Sequence, residues 1–105
     1  MLVVVRNEAE TVDRTLLSIL NQNIDHNIFE IIVVDGMSTD KTQIIVNDVM
    51  RGSDVSWRLF DNPKKTLAAG WNIGIREATG KYIVRIDAHA EVPSNFLRGK
   101  FMSPA

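Results

Sequence analysis

The chain has 105 residues, enough for one small domain. Hydrophobic residues make up 45% and charged residues 24%, the balance of a folded globular protein, so a disordered chain is excluded. Twelve basic residues against thirteen acidic ones imply no broad basic surface for nucleic acid, and the lack of cysteine excludes a disulfide scaffold and thiolate metal sites.

Met1 leads directly into Leu2-Val3-Val4-Val5, with Arg6 close behind. That run is too short for a signal peptide or a membrane span and reads as a first strand. The spacing of Val12, Leu16, Ile19 and Leu20 predicts a helix from about Glu8 to Gln22, with Asn7 as its cap and Glu10 completing a capping box. A polar loop holding His26 follows, and a second strand is predicted at 30–34. A second helix is expected from Ser38 or Thr39 to about Met50, with Asp40 in its first turn and Ile44, Ile45 and Val49 toward the sheet. A third strand, near 57–60, stops at the turn signal Asp61-Asn62-Pro63. A third helix is predicted from Thr66 to before Gly80, with Leu67, Trp71, Ile75 and Ala78 as its buried stripe. Gly70 and Gly74 lie inside it, where each costs about 1 kcal/mol relative to alanine, so a close approach to the sheet or to a ligand is expected. A fourth strand is predicted at 82–86, a short helix opening near Pro93, and an irregular or truncated tail over 98–105. Strands alternating with helices indicate parallel βαβ units.

Two of the strands end in acids. Asp35 follows Ile31-Ile32-Val33-Val34, and Asp87-Ala88-His89 closes the fourth strand. In an alternating α/β fold these ends share one rim, where ligands bind. Asp87 and His89, two residues apart, offer a carboxylate and an imidazole to a divalent cation such as Mn2+ or Mg2+. Equally, the triplet reads as a turn-capping acid beside a surface histidine. Asp35 can accept from a ribose hydroxyl or a base N–H, or simply cap a turn before Gly36. Arg6 suits a base or a phosphate. Lys64 and Lys65 precede a helix N-terminus, which favours anions. Asn72, beside Trp71, needs a partner if buried. No G-x-G-x-x-G, P-loop or G-x-S-x-G motif is present.

Taken in order, the runs Val5-Arg6-Asn7-Glu8, Ile31 to Thr42, Asn62-Pro63, Ala68-Ala69-Gly70-Trp71-Asn72-Ile73-Gly74-Ile75 and Ala78-Thr79-Gly80-Lys81-Tyr82-Ile83 leading into Asp87-Ala88-His89-Ala90 resemble the nucleotide-sugar-binding half of a family 2 glycosyltransferase, nearest to the succinoglycan-type exopolysaccharide enzymes. The resemblance covers residues 2 to about 97. It implies a GT-A fold: a three-layer α/β/α sandwich on a mostly parallel sheet of order 3-2-1-4, truncated here, with 1–97 as the donor-binding half.

It further implies sugar transfer from a nucleotide-diphosphate sugar donor to a saccharide or lipid-linked saccharide acceptor, with inversion, in a parent enzyme in the cytoplasm or at the inner membrane face. Arg6, Glu8 and Asp35 would line the nucleoside end, Lys65 and Asn72 would approach the donor, and Asp87 and His89 match the outer places of the family's D-x-D element, which meets ribose, metal and diphosphate. The sequence departs from the pattern at Gly36, where a second acid is usual, at His89, where the last acid of D-x-D is usual, and at Val4, where proline is common. The family's catalytic base lies well downstream of D-x-D, and no residue after His89 fits it. Two other readings stay open: a nucleotide-binding fragment or module without turnover, and a signalling domain with a phosphate-accepting acid at a strand end. The fourth strand is expected to leave an open edge prone to self-association.

Overall fold

A computed structural model describes residues 1–80 and 82–101. The strands are β1 (Leu2–Val5), β2 (Glu30–Asp35), β3 (Ser56–Asp61) and β4 (Arg85–Asp87). The helices are α1 (Val12–Leu20), α2 (Thr42–Arg51), α3 (Leu67–Glu77) and α4 (Phe96–Phe101), with a 3-10 turn at His26–Ile28. The sheet is fully parallel in the order β3-β2-β1-β4, as expected, with Val5 opposite Asp35 and Asp35 opposite Asp61.

Alternation along the central strands builds two cores, because successive side chains point to opposite faces. Val3, Val5, Ile31 and Val33 pack with Val12, Leu16 and Ile19 of α1 and Val46 and Met50 of α2. Leu2, Ile32 and Val34 face the other way, against Trp71, Ile73 and Ala78 on the α3 side. Three layers result.

Several elements differ from the sequence reading. Helix α1 starts at Val12 rather than near Glu8, and its N-cap, Thr11, makes no side-chain capping bond. Helix α2 starts at Thr42, not at Ser38 or Thr39. The reason is long-range: the loops after β1 and β2 cap each other. The Asn7 side-chain oxygen accepts from the Thr39 backbone N–H at 2.8 Å, the Ala9 N–H donates to Asp40 at 3.3 Å, and the Glu8 N–H donates to the Thr42 hydroxyl at 2.9 Å. Ile45 and Val49 pack against the core as expected, but Ile44 is exposed, and Thr42, Val46 and Met50 are the fully buried residues of α2.

In α3, Leu67 and Ile75 are exposed, whereas Gly70 and Gly74 are buried. The glycines are the contact face: a β-carbon on Gly70 would lie 2.5 Å from Val4 Cγ1. Close packing on the sheet therefore accounts for both. Strand β4 runs from Arg85, which pairs with Leu2, the first residue of β1, to Asp87, three residues later than the start expected at 82, and the Leu2 N–H still donates to the Val84 carbonyl at 2.8 Å. Order continues through α4 to Phe101, past the boundary expected at Leu97; 102–105 lie outside the described residues. Among the described residues no helix is long and apolar enough to cross a membrane.

Candidate functional site

The parallel sheet brings the C-terminal ends of all four strands to one rim, and the order reverses beside β1, the place where open α/β sheets take ligands. Among the described residues the three non-glycine residues with left-handed backbone all lie in the loops of this rim: Asn7 (φ 52), Met37 (φ 59) and Lys65 (φ 65). Such conformations cost about 1–3 kcal/mol each and gather at functional sites.

A cleft of about 150 Å³ opens there, lined by Val4, Val5, Arg6, Glu8, Gly36, Asn62, Lys65 and Leu67. Arg6 lies across Gly36. Its Nε donates to the Gly36 carbonyl at 3.0 Å, and a β-carbon on Gly36 would sit 3.1 Å from Arg6 Cδ. The missing side chain at position 36 thus makes room for the Arg6 stem. The terminal nitrogens of Arg6 and the ammonium of Lys65 have no hydrogen bond or ion pair among the described residues, so the cleft presents two cations to a ligand.

Asp35 is fully buried. The Ser38 N–H and Gln43 Nε2 donate to its Oδ2 at 3.0 and 2.7 Å, and the Ser38 hydroxyl donates to Oδ1 at 2.5 Å. Gln43 Nε2 also donates to Asp61 at 3.1 Å, tying together the two acids that end β2 and β3. The carboxylate of Asp35 braces the loop that carries Gly36, and Asp35's own carbonyl accepts from the Asn62 N–H at 2.7 Å.

Asp87 and His89 are exposed at the end of β4, across β1 from Asp35. Between them, the buried Ala88 is fixed by α1: its carbonyl accepts from the Thr15 hydroxyl at 3.0 Å and the Thr11 hydroxyl at 3.2 Å. Among the described residues no three His, Asp or Glu side chains converge as a metal site. Asp87 and His89 offer a carboxylate and an imidazole, two donors that could hold a divalent cation only with further ligands from elsewhere. Asn72 is exposed and lines a neighbouring cleft of about 350 Å³ with Asp61, Pro63, Lys64 and Arg76. The rim thus joins Arg6, Glu8 and Lys65 in one cleft, places Asp87 and His89 one strand away, and sets Asn72 apart.

Sequence reasoning passed over Asn62. It reads as a turn residue before Pro63, yet it is 1% exposed and lines both clefts. Its Nδ2 donates to the Thr66 carbonyl at 2.8 Å, while its Oδ1 is buried with no partner. An Asn-Pro pair gives no sign of this, because the burial comes from the approach of α3.

Over residues 1–99 the chain matches the model of a family described as Glycosyl transferase family 2. It is 28% identical over 93 residues to the dolichyl N-acetyl-alpha-D-glucosaminyl phosphate 3-beta-D-2,3-diacetamido-2,3-dideoxy-beta-D-glucuronosyltransferase of Methanococcus voltae, covering 88% of this chain and 29% of that protein. It is 30% identical over 92 residues to the succinoglycan biosynthesis protein ExoA of Rhizobium meliloti, covering 86% of this chain and 27% of that one. The chain therefore spans less than a third of the length of these relatives. Among solved structures it resembles the mannosyltransferase PcManGT of Pyrobaculum calidifontis, in complex with GDP-Man and Mn2+, with a TM-score of 0.87 and 30% identity over 91% of this chain and 29% of that one.

Proposed function

The chain belongs to glycosyl transferase family 2, and from that premise we propose that it is the donor-binding part, residues 1–97, of an enzyme that moves a sugar from a nucleotide-diphosphate sugar to a saccharide or lipid-linked saccharide acceptor. The cleft of Arg6, Glu8, Gly36, Asn62 and Lys65, at the sheet's switch point and one strand from Asp87 and His89, carries this reading. The reading as a signalling domain falls away with the family.

In this proposal the nucleoside enters the cleft beside Arg6 and Glu8. Asp35 acts through its loop, holding Gly36 and the Arg6 stem in place. Lys65 meets the negative charge of the diphosphate, and Asp87 and His89 would hold a divalent cation on it. Bound there, the cation would neutralise charge on the leaving diphosphate. Asn72 would meet a donor only from the neighbouring cleft. A manganese-bound mannosyltransferase of the same fold at 30% identity supports the choice of cation. Synthesis of a cell-surface or exopolysaccharide is the setting that the succinoglycan relative supports, and a place at the cytoplasmic face of a membrane is part of the proposal.

No catalytic base is assigned, and inverting transfer needs one to deprotonate the acceptor hydroxyl. The 105-residue chain is therefore expected to bind donor without transferring sugar. Isothermal titration with UDP- and GDP-sugars, with and without Mn2+, tests this. Saturable binding with no product is the expected result, and sugar transfer by this chain would overturn the assignment as a donor-binding part alone.

A further inference from the structure

Four polar side chains along one side of α1 hold the backbone that follows β4. Thr11, Thr15, Ser18 and Gln22 stand at i, i+4, i+7 and i+11, from the N-cap of the helix to the residue just past its C-cap. The Thr11 and Thr15 hydroxyls donate to the Ala88 carbonyl at 3.2 and 3.0 Å. The Ser18 hydroxyl accepts from the Val92 N–H at 3.1 Å. Gln22 both gives and takes: its Nε2 donates to the Pro93 carbonyl at 2.8 Å, and its Oε1 accepts from the Leu97 N–H at 2.8 Å. The same Nε2 donates to the Ser18 carbonyl at 3.1 Å, which ties the amide back to α1. Gln22 is only 5% exposed. Residues 90–93 lie in neither helix nor strand. Ala90 and Val92 rest on the core, but apolar packing has no direction, so it is the hydrogen bonds that set the register of this strap along the helix.

The strap begins at the turn that carries Asp87 and His89. The Ala90 N–H donates to the Asp87 carbonyl at 3.0 Å and closes that turn, leaving both side chains exposed at the rim. Strand β4 is only three residues long and gives the turn little support of its own. The turn is therefore placed from α1, on one side through Ala88 and on the other through Val92 and Pro93. We infer that Gln22 is a positioning residue of the donor site: through the strap 90–97 it holds the turn Asp87–Ala90, and with it His89, where the diphosphate end of a donor and its cation would lie. The inference rests on the donor-binding reading above. Gln22 itself touches no ligand in it, since seven residues separate it from Thr15, about 10 Å along the helix axis. Its action is through rigidity. A buried polar network with every member satisfied admits one arrangement, and groups behind metal-binding side chains govern affinity by orienting them. An apolar side chain at position 22 would fill the same space and leave the strap free to slide.

The test is Gln22→Met, which keeps the length of the side chain and removes its bonds, beside Ser18→Ala, which removes the bond to Val92. Amide hydrogen exchange followed by NMR reads the strap with no ligand present. In both variants the Ala90 N–H, which neither side chain touches, is expected to exchange about tenfold faster, the order of one or two lost hydrogen bonds. The Ile32 N–H, bonded to the Met1 carbonyl in the sheet, should change less. The factor by which Mn2+ and UDP or GDP tighten each other should fall by about threefold or more, with nucleotide affinity in the absence of Mn2+ unchanged. Val46→Ala, in the core of α2, controls for lost stability: it should lower Tm and leave that factor as in the unaltered chain. If Gln22→Met does not fold, Ser18→Ala decides. Unchanged exchange at Ala90 would reduce Gln22 to a support of α4 and overturn the inference. Faster exchange at Ala90 with an unchanged factor would also overturn it, and in either case the donor site stands. An unaltered chain in which Mn2+ and nucleotide do not tighten each other would overturn the cation site and the inference together.

Discussion

A β-carbon on Gly74 would stand 2.2 Å from Cδ1 of Leu2 and 2.9 Å from its Cγ, so α3 rests on β1 with its backbone against a buried leucine. Leu2 is 2% exposed and cannot step aside. Gly74→Ala gains about 1 kcal/mol of helix propensity but overpacks this contact, which costs about 1–3 kcal/mol. The expected net effect is a loss of stability, and Gly70→Ala should behave alike because the stiff Val4 lies beneath it. Gly52→Ala is the control: nothing lies within 4 Å of its added carbon, and it should change stability by less than about 0.5 kcal/mol. Urea melts of the three variants check this; a Gly74→Ala protein more stable than the parent would refute the packing.

The Thr15 hydroxyl, fully buried, is one of two that meet the Ala88 carbonyl between Asp87 and His89. Thr15→Val keeps the shape and removes the bond. A loss of about 1 kcal/mol is expected, which in a domain of this size lowers Tm by about 4–8 °C. The larger consequence should be at the rim, with Mn2+-dependent donor affinity falling more than affinity measured without metal. Equal loss in both would reduce Thr15 to a stabilising residue only.

How much of this was legible in the sequence follows from the range of each interaction. The β-branched runs of β1 and β2 announce strands locally, and the acids that end β2 and β4, Asp35 and Asp87, mark the rim. The helix starts were misplaced because Asn7, Ser38, Thr39 and Asp40 look like local caps, whereas Asn7 bonds across to Thr39 and Ala9 to Asp40, partners about thirty positions apart in the chain. Of the expected stripe of α3, Trp71 and Ala78 pack toward the sheet while Leu67 and Ile75 are exposed, because a hydrophobic pattern cannot score a face that includes Gly70 and Gly74, whose value is the absence of a side chain. The resemblance sets Arg6 and Glu8 with Asp35, and Lys65 with Asn72, whereas the cleft joins Arg6, Glu8 and Lys65. Asn62 could not be read as part of it, since only the approach of α3 buries it.

Asp35→Asn tests whether the loop after β2 depends on a carboxylate. Both oxygens of Asp35 now accept, from Ser38 and Gln43. An amide turns one acceptor into a donor facing another donor, in a fully buried place. A loss of about 1–3 kcal/mol is expected. Donor affinity should fall with it as Gly36 and Arg6 lose their support. Unchanged stability by thermal melting would contradict the bracing role.

Stability should fall in acid through Glu30. Burial raises its pKa, but the hydrogen bonds from the Thr79 N–H and hydroxyl, at 3.2 and 3.0 Å, and the Arg58 guanidinium at 3.4 Å outweigh burial and hold the carboxyl below its ordinary 4.5. A group whose pKa is lower folded than unfolded contributes stability above its unfolded value and loses it as pH falls through the folded value. The contribution is therefore complete above about pH 5 and disappears below 4.5. Asp40 shifts the same way, first because the Thr42 hydroxyl donates to it. Glu30→Gln should flatten the acid limb of a plot of Tm against pH, and an unchanged limb would exclude Glu30 as a source.

Cation binding should depend on the nucleotide. With Asp87 and His89 as the only donors proposed, and no third ligating side chain converging on them among the described residues, Mn2+ alone should bind weakly. A nucleoside diphosphate supplies the missing oxygens, so each ligand should tighten the other by the same factor, as linkage requires. Mn2+ titrations followed by electron paramagnetic resonance, with and without UDP or GDP, measure that factor. Asp87→Asn should abolish most of the coupling. His89→Ala should weaken Mn2+ coupling more than Mg2+ coupling, because imidazole suits manganese better than magnesium. Tight Mn2+ binding without nucleotide, or coupling untouched by both substitutions, would place the cation elsewhere than at the end of β4.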